Sequence, residues 1–566
     1  MQRWLWRLTP VAVSLVAFLW PLWYWNRTPG GDWGYFDSLA LVVRSSVHSY
    51  GRFPMHDPWV MGGADLLANP QTRIFSPVGL LDQLFRPHLA NVVSLVVHGI
   101  LGAWGMTSVL TRLGHNRIVA GLGAMMFIGG SWFMLHYCEG HVPYGTMQLL
   151  PWVVYWLMEL DKPSATLKLA ALLALFLVDG GMYAFIFSGY AVIVLAALGM
   201  VPLRGFIATV KAHRLLVPGA AVAFLGVASS KLVPVLESLG ARKLTIERAT
   251  MGWKLALAAF YDTDQWFLKA ARPLDWRFHE VGCYLGFAAT ALIVVALARP
   301  QFARAQWRWL VFGLVFLWIG TNALAPFNPW EIISRTPLLR NAHVQSRNFI
   351  WLYFAWVVLV CAAVRSFRWK ARVTHGLLVI AVLEIVVVSH RQWFRAMHND
   401  GGQHRYQATA RDITQRAWNY TVMWATKPEH YFAGGYGALD TYEPAQVERT
   451  VRYRGGPGYA GEIRVVGGNG VAELREVSPG YIAMSYDGTT PAMVRINQNR
   501  LAGWEVVSGE AECDDDDYSL DVKIASPGEI ILRYRPWYWP DIAMAYALGL
   551  VVFVGMALRL RQKAAT

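Results

Sequence analysis

A polar loop between two apolar segments, residues 31–82, holds the first residues that could do chemistry. It contains GGDWGYFDS and then HDPWVMGGADLLANPQTRIFSP, which bring carboxylates, a histidine and an asparagine into one stretch. Asp32 is the first acid in the chain. A carboxylate kept at the mouth of an apolar helical bundle suits chemistry on a molecule that arrives from lipid or from the outer aqueous face.

A second polar set, His136, Glu139 and His141, lies at the end of a later apolar segment. Its two histidines are five residues apart, unlike the HExxH spacing that places two histidines on one face of a helix. Metal binding on a helix is therefore not predicted, although a bent loop would bring the side chains together. Hydrogen bonding to a ligand competes here with interfacial packing and helix capping.

The composition decides where these residues must work. Apolar residues make up 55% of the chain, charged residues only 16%, and the mean hydropathy is +0.31, whereas soluble domains carry about 25% charged residues. The net charge of +14 would suggest nucleic acid in a soluble chain. Here the basic residues fall in short loops between apolar segments, so the chain is predicted to be an integral membrane protein without a nucleic-acid partner.

Apolar tracts approach the ~20 residues that a helix needs to cross a bilayer. We predict about twelve membrane helices, at residues 5–25, 92–110, 118–135, 147–160, 167–178, 184–203, 215–236, 281–298, 309–319, 350–364, 376–388 and 542–558. Basic loops alternate onto one side, which predicts cytoplasmic termini. The long loops 26–91, 136–146, 237–280 and 320–349 then face the extracytoplasmic side.

After residue 388 the pattern changes to apolar–polar alternation separated by turns rich in Gly, Pro and Asp. We predict a membrane domain over 1–388, an extracytoplasmic β-sandwich-like domain over 389–540, and a final membrane helix with a short basic cytoplasmic tail over 541–566. Trp504 is expected in the β-core rather than on a glycan. A disulfide between Cys138 and Cys283 stays open, and no spacing indicates a zinc site.

Several stretches together resemble YfhO-family membrane proteins, and the similarity extends over nearly the whole chain. They are GGD, PWVMGGADLLANPQ with a following FSP, the EGH loop, KLVPVLESLGAR, EVGCYLG, PLLRNAHVQSRNFIWL, NRLAGWEVV and SPGEIILRYRPWYWPDIAMAYALG. The resemblance implies a GT-C-type glycosyltransferase in the bacterial cytoplasmic (inner) membrane. Such an enzyme would transfer a hexosyl or pentosyl group from a polyprenyl-phosphate sugar to an envelope glycan, lipid or polymer.

The resemblance also implies roles for residues. Asp32 stands where GT-C enzymes place a first-loop acid, so it is the predicted general base of an inverting transfer. The competing interpretation is an N-cap for the helix that follows it, and both roles can coexist. No cofactor is expected beyond the lipid-linked donor, and a need for a divalent metal stays open.

The leaving phosphate would need cationic groups, because negative charge builds on it in the transition state. Arg242, Arg347, Lys231 and Arg73 are the candidates, with contacts to the surface or to lipid headgroups as the alternative. Lys231 lies within an apolar span, where a buried ion pair is an equal explanation.

Contacts to the sugar or the acceptor are predicted for the remaining polar residues of the two loops. Asp57 precedes a proline, so a turn competes with a functional role. The set comprises Asp37, Asp57, Asn69, Gln71, His136, Glu139 and His141.

Two other classes of protein compete with a transferase. A lipid or glycan transporter or flippase would also carry ionisable residues such as Lys231 and Glu384 inside spans, but no inverted repeat is visible. A noncatalytic envelope-assembly scaffold would explain the β-domain but not the acidic first loop.

Overall fold

A computed structural model describes residues 2–23, 31–239, 251–265, 278–321, 328–334, 344–367, 371–399, 420–424, 437–440, 451–452, 454, 456–514 and 519–565. A helical bundle is followed by a β-sheet region and a closing helix. The α-helices are α1 Gln2–Ala17, α2 Leu19–Trp23, α3 Trp33–His48, α4 Leu80–Leu84, α5 Pro87–Arg112, α6 Arg117–Ile128, α7 Ser131–Glu139, α8 Leu150–Met158, α9 Pro163–Val178, α10 Met182–Ala197, α11 Leu203–Ala212, α12 Leu216–Leu239, α13 Trp253–Tyr261, α14 Phe287–Leu297, α15 Pro300–Gly320, α16 Pro329–Ile333, α17 Phe349–Ser366, α18 Ala371–Asn399 and α19 Trp539–Ala565. Short 3-10 helices cover Val142–Leu149, Phe278–Glu280 and Gln345–Asn348.

Within the described residues, six helical segments are long and apolar enough to cross a membrane. They are Pro87–Arg112, Arg117–Glu139, Leu216–Ser238, Gln345–Ser366, Arg372–Met397 and Trp539–Lys563. Shorter apolar helices at Leu8–Ala17, Pro163–Val178, Met182–Ala197 and Phe287–Leu297 coincide with other predicted spans. The prediction of a mostly helical membrane protein with a C-terminal β-region is confirmed, whereas the count of twelve spans stays a prediction.

One predicted span, 118–135, is two helices in the structure. The chain breaks between α6 and α7 at Gly129 and Gly130. A methyl group on Gly130 would lie 2.5 Å from the ring of Tyr353, so glycine lets that ring enter the break. The Tyr353 hydroxyl donates to the Met126 carbonyl at 2.6 Å. This bond satisfies a backbone carbonyl at the helix break, inside the bundle, where water does not reach to donate.

The closing helix α19 packs on α12 through glycines. A Cβ on Gly226 would lie 2.7 Å from the Ala545 carbonyl oxygen and 2.9 Å from Gly549 Cα. Small residues let two membrane helices approach closely, which favours dispersion contacts where burial from water gives no gain. Only 11% of the apolar segment of α19 is buried by protein, as expected for a helix whose remaining surface faces lipid.

The strands are β1 His56–Asp57, β2 Ala64–Asp65, β3 Tyr420–Trp424, β4 Gly437–Asp440, β5 Ile463–Gly467, β6 Gly470–Ser478, β7 Tyr481–Gly488, β8 Ala492–Asn499, β9 Trp504–Ser508, β10 Ala511–Cys513, β11 Ser519–Ile524 and β12 Gly528–Tyr534. Two four-stranded sheets, β10-β11-β8-β5 and β6-β7-β12-β9, share one apolar core that includes Trp504. Helix α18 runs to Asn399, past the predicted start of the β-rich segment at residue 389. Cys283 is a buried free thiol, so the bridge to Cys138 is not formed.

The first loop lies between the bundle and the β-region and contacts both. Asn499 of β8 donates its backbone N–H to the Gly62 carbonyl at 2.7 Å, and the Gln498 amide donates to the Pro58 carbonyl at 3.0 Å. Asp65 accepts hydrogen bonds from the hydroxyls of Tyr534 and Tyr538, which stand at the end of β12 and just before α19. These contacts hold the face of the loop that points away from the helical bundle.

Candidate active site

A cluster of histidines and acids lies where the ends of several elements meet. The histidine–carboxylate cluster comprises Asp32, His136, Glu139, His141, His279, Glu280 and Arg347. They come from the residue before α3, the end of α7 and the short loop after it, and the two 3-10 helices Phe278–Glu280 and Gln345–Asn348. The structure thus brings together five of the predicted site residues.

Two glycines explain how the first loop meets the end of α7. Gly140 has φ +99° and Gly31 has φ +61°, both in the left-handed region that favours glycine. A Cβ on Gly140 would lie 2.3 Å from the Trp33 nitrogen, and one on Gly31 would lie 2.3 Å from the Glu139 carbonyl oxygen. The Asp32 N–H donates to that carbonyl at 2.6 Å. The GGD and EGH motifs therefore interlock through their backbones.

Asp32 occupies the N-cap position of α3, as the alternative interpretation predicted. Its side chain makes no capping hydrogen bond within the described helix, so it does not use its carboxylate to hold the first turn. The carboxylate instead lies 3.3 Å from Nε2 of His141, and its side chain keeps 16% of its surface exposed. The position leaves the acid open to a ligand.

His141 and His136 continue this contact inward. Their Nδ1 atoms are 2.8 Å apart, so one ring donates and the other accepts. A His141 ring that directs Nε2–H toward the Asp32 carboxylate has a bare Nδ1, which then accepts from Nδ1–H of His136. His136 Nε2 is left as a buried acceptor that no described group donates to. The hydrogens of both rings then point toward Asp32, so the two histidines donate in series to its carboxylate.

Glu280 and Arg347 form the buried ion pair of the cluster. The guanidinium donates to both carboxylate oxygens, from Nε at 2.7 Å and from Nη2 at 2.5 Å. Burial alone would raise the pKa of Glu280, but the charge and hydrogen bonds of Arg347 hold it well below its usual range. The rings of Tyr144 and Tyr183 lie 5.5 and 4.9 Å from the guanidinium carbon.

His279 lies between the acids of the cluster. Its Nδ1 is 3.5 Å from Glu139 Oε2, and its Nε2 is 3.5 Å from Glu280 Oε1. Burial lowers the pKa of His279, but the hydrogen bond to Glu280 and the charges of Glu139, Glu280 and Asp32 outweigh it and raise the pKa. Sequence reasoning missed both His279 and Glu280, although EVGCYLG, which starts at Glu280, was among the motifs of the resemblance.

Three members of the cluster could hold a metal ion. Ligand atoms of His141, His279 and Glu280 lie within 4.8 Å of one another. Both oxygens of Glu280 are already bound by Arg347, whose positive charge opposes a second cation at the same carboxylate. No metal site was predicted from the sequence, and a need for metal stays untested.

A second polar group, the first-loop cleft, lies beside the middle of α3. Arg73 donates to Asp82 from Nε at 2.9 Å and to Asn91 from Nη2 at 2.7 Å. The buried Asp37 accepts from Asn91 at 2.7 Å and lies 3.0 Å from Nδ1 of His88. The cleft is lined by Phe36, Leu39, Ala40, Val43, Gln71, Thr72, Arg73, Asp82, Asn91, Ser94, His98, Val142, Pro143, Thr146 and Asp179.

Lys231 and Asn69 hold the first loop against the bundle. The Lys231 ammonium donates to the Asn69 carbonyl at 2.8 Å and to the Thr72 hydroxyl at 2.7 Å. The Asn69 amide donates to the Tyr35 hydroxyl at 2.6 Å and its oxygen accepts from the Gln71 N–H at 2.8 Å. These contacts give both residues a role in loop placement, and their predicted contacts to the donor or the sugar stay predictions.

Two predicted site residues do not join either group. Asp57 is fully buried in β1, where its Oδ1 accepts from the Trp59 N–H at 2.9 Å, as expected of the turn interpretation. Burial raises its pKa to about 7. Its described contacts do not connect it with the cluster or the cleft. Arg242 lies outside the described residues.

The fold and the site define a polytopic membrane protein with a partly exposed acid at one end of its bundle. No protein-family model and no curated protein match the chain, so the YfhO resemblance stays a prediction. Among solved structures, the chain is similar to "Single-Particle Cryo-EM Structure of Arabinofuranosyltransferase AftD from Mycobacteria", with a TM-score of 0.45 and 13% identity. The match covers 75% of this chain and 29% of that chain.

Proposed function

We propose that the protein is a GT-C-type membrane glycosyltransferase. It would transfer a sugar from a polyprenyl-phosphate-linked donor to an envelope glycan, lipid or polymer acceptor at the extracytoplasmic face. The observation that carries the proposal is the Asp32 carboxylate, partly exposed at an end of the bundle and backed by His141 and His136. The resemblance in the GGD and EGH motifs supplies the class of reaction.

In this mechanism Asp32 accepts the proton of the acceptor hydroxyl while the acceptor oxygen attacks the anomeric carbon. The bond from that carbon to the phosphate oxygen breaks on the opposite face, and its electron pair leaves with the polyprenyl phosphate. The configuration at the carbon is inverted. General base catalysis of this kind contributes about 10²–10⁴-fold to a rate.

His141 and His136 act as positioning residues for this base. The His141 Nε2 contact fixes the direction of the Asp32 carboxylate, and the His136 Nδ1 contact fixes the ring of His141.

Arg347 is assigned to the donor phosphate because, among the described arginines and lysines, it lies in the same cluster as Asp32. Its ion pair with Glu280 uses Nε and Nη2, and no described group accepts from Nη1. A guanidinium that is fixed by a carboxylate loses little freedom when it binds a phosphate oxygen. Glu280 therefore orients Arg347 and keeps it charged, while Arg242 remains a further candidate.

The transporter alternative rested on ionisable residues inside spans. Glu384 accepts from the Tyr284 hydroxyl at 2.6 Å and from the N–H groups of Phe287 and Ala288 at 2.7 and 2.8 Å. It therefore supplies acceptors at the start of α14, where helical N–H groups lack intrahelical partners. With Lys231 engaged by the first loop, both residues have structural roles, which favours the enzyme over a flippase.

The test uses full-length protein in lipid nanodiscs, a panel of polyprenyl-phosphate hexoses and pentoses, and envelope glycan fractions as acceptors. Asp32→Asn is compared with Asp161→Asn, a change at an exposed acid outside the cluster. Transfer should be lost in the first variant and kept in the second. Transfer by Asp32→Asn at the wild-type rate would make the base assignment wrong. Counterflow of the lipid in liposomes without transfer would support the flippase.

A further inference from the structure

We propose that the first-loop cleft is a subsite for the hydroxyl groups of a neutral sugar unit, with Gln71 and Asp179 as the groups that accept from it. The inference rests on the proposed transferase function and deepens it, because it assigns sugar recognition to a place separate from the proposed base.

The first support is a pair of buried acceptors without donors. Asp179 is only 4% exposed, and its Oδ1 receives no hydrogen bond from the described residues. Gln71 Oε1 is also buried and receives no hydrogen bond from the described residues. A buried acceptor left without a donor costs about 1–3 kcal/mol, so a donor from a ligand would stabilise it. Both side chains line this one cleft, so a bound molecule with hydroxyl donors would satisfy both.

The second support is the way His98 fixes Asp179. His98 Nδ1 lies 2.8 Å from the Ser94 carbonyl oxygen, which can only accept, so Nδ1 carries a hydrogen. His98 Nε2 lies 2.7 Å from Asp179 Oδ2, and that contact needs a proton on one of the two atoms. The pair therefore engages Oδ2 and leaves Oδ1 as the atom without a donor.

The third support is the turn that brings the two acceptors together. Asp179 ends α9 and is followed by Gly180, whose φ is +76°. A Cβ on Gly180 would lie 2.5 Å from the Gln71 carbonyl oxygen, and one on Gly181 would lie 2.4 Å from the Thr146 hydroxyl oxygen. The VDGG turn can lie directly on Gln71 and Thr146 only because both positions are glycine.

Charge decides which ligand the cleft takes. Asp82 and Asp179 line it and Asp37 lies beside it, while Arg73 is already engaged by Asp82 and Asn91. Arg73 offsets the charge of Asp82, so Asp179 and Asp37 leave the surroundings negative, which disfavours an anion such as phosphate. Asp82 and Asp179 Oδ2 are already engaged by Arg73 and His98, which leaves few free carboxylate oxygens for a metal cation.

The lining of this cleft matches a neutral sugar in chemistry, because it offers both polar acceptors and an apolar wall. The hydroxyls of the sugar can donate to Gln71 and Asp179, and its C–H face can lie on the apolar wall of Phe36, Leu39 and Val142. The phosphate role predicted for Arg73 is replaced, in this proposal, by shaping of the cleft.

The test measures binding of methyl glycosides of hexoses and pentoses to the full-length protein in nanodiscs, by saturation-transfer NMR. Gln71→Met removes the acceptor with little change in size. In Asp179→Asn, with the amide oxygen toward His98, an NH₂ donor replaces the Oδ1 acceptor. Each is expected to weaken binding about tenfold, the equivalent of one or two hydrogen bonds. The matched control is Gln83→Met, because Gln83 Oε1 is also a buried acceptor without a described donor but does not line the cleft.

Thermal unfolding of the same variants separates recognition from structure. Gln71→Met removes an unsatisfied acceptor, so its midpoint should stay the same or rise. A fall in the midpoint that matches the loss of binding would assign Gln71 to structure and overturn the proposal. So would equal glycoside affinity in Gln71→Met and the wild type, no glycoside binding to the wild type, or stabilisation by MgCl₂ or inorganic phosphate that the two variants lose.

Failure of the proposed subsite can be distinguished from failure of the proposed transferase function. Glycoside binding that Gln71→Met weakens and Asp32→Asn keeps would support the subsite even if no transfer is found. Transfer in which Gln71→Met leaves the KM values of both substrates unchanged would overturn the subsite and leave the transferase intact. A higher KM for the lipid-linked sugar alone assigns the subsite to the donor, and a higher KM for the glycan alone assigns it to the acceptor.

Discussion

The histidine–carboxylate cluster and the first-loop cleft are both polar, yet their charges are arranged differently. In the cluster, the charge of Glu280 is neutralised by Arg347, and His279 lies between acids. The Asp32 side chain is partly exposed. In the cleft, the ion pair of Arg73 and Asp82 stands beside two acceptors without donors. The first arrangement suits movement of a proton, and the second suits binding of hydroxyls.

The first loop connects the two regions. Asp32 stands at its start, and Gln71 and Arg73 stand near its end. A single segment therefore places the proposed base and the proposed sugar subsite, and changes in one region can be compared directly with changes in the other.

The largest expected effect is on catalysis in the cluster. Asp32→Asn should lower kcat about 10²–10⁴-fold while leaving glycoside binding in the cleft unchanged, because the amide cannot take the acceptor proton. Single-turnover transfer and saturation-transfer NMR on the same sample measure the two quantities. Parallel loss of both would show that the regions are not separate.

Loss of the cluster ion pair should have the next largest effect, this time on stability. Glu280→Gln leaves the buried Arg347 charge without a matching carboxylate, which costs about 3–5 kcal/mol of the free energy of unfolding. Denaturant titration in detergent measures it. The control is Glu473→Gln, which breaks an exposed pair with Arg475 and should change the free energy by less than about 1 kcal/mol.

The third prediction concerns pH at the side of the first loop that faces the β-region. Burial raises the pKa of Asp57 to about 7. Between the pKa of this group in the unfolded chain and pH 7, the folded state therefore keeps a proton that the unfolded state has lost. The stability that this group contributes is present below the unfolded pKa and is lost as the pH rises through 7.

At pH 8, Asp57→Asn should therefore have a free energy of unfolding higher than that of the wild type by roughly a few kcal/mol. Near pH 4 the two proteins should differ little. Thermal unfolding at several pH values checks the trend, and a difference that does not change with pH would contradict it.

The smallest predicted effect is at the contact between loop and β-region. Tyr534→Phe removes a 2.8 Å hydrogen bond to the buried Asp65, which costs roughly 1 kcal/mol of the free energy of unfolding. Asp65 Oδ1 accepts from the N–H groups of Leu67 and Ala68, just before the residues of the cleft. The KM of the sugar substrate should rise more than kcat falls, and an effect on kcat alone would contradict this link.

Local sequence pattern was sufficient for part of this structure. The GGD and EGH motifs lie at the ends of apolar segments, which predicted that their polar residues would lie at an end of the bundle, and the structure brings the two motifs together there. The apolar–polar alternation in the tail after residue 388 predicted strands, and β6, β7, β8, β9 and β12 lie in stretches with this pattern and contribute to the shared core.

The remaining features depend on contacts that are distant in sequence. Glu280 and Arg347 are 67 residues apart, and no periodicity indicates that they meet. Arg347 was therefore assigned to phosphate without its partner. The break at Gly130 was also missed, because a continuous apolar segment gives no sign of the Tyr353 ring that enters it.

The two phenols on Asp65 have a consequence for the evolution of chains with this architecture. Tyr534 and Tyr538 lie more than 460 residues from Asp65 in sequence, yet both donate to its Oδ2. An apolar residue at position 65 would leave two buried hydroxyls without an acceptor, so selection should remove the acid and the phenols together. In an alignment of homologues, positions 65, 534 and 538 are expected to covary, recording the contact between loop and β-region in sequence alone.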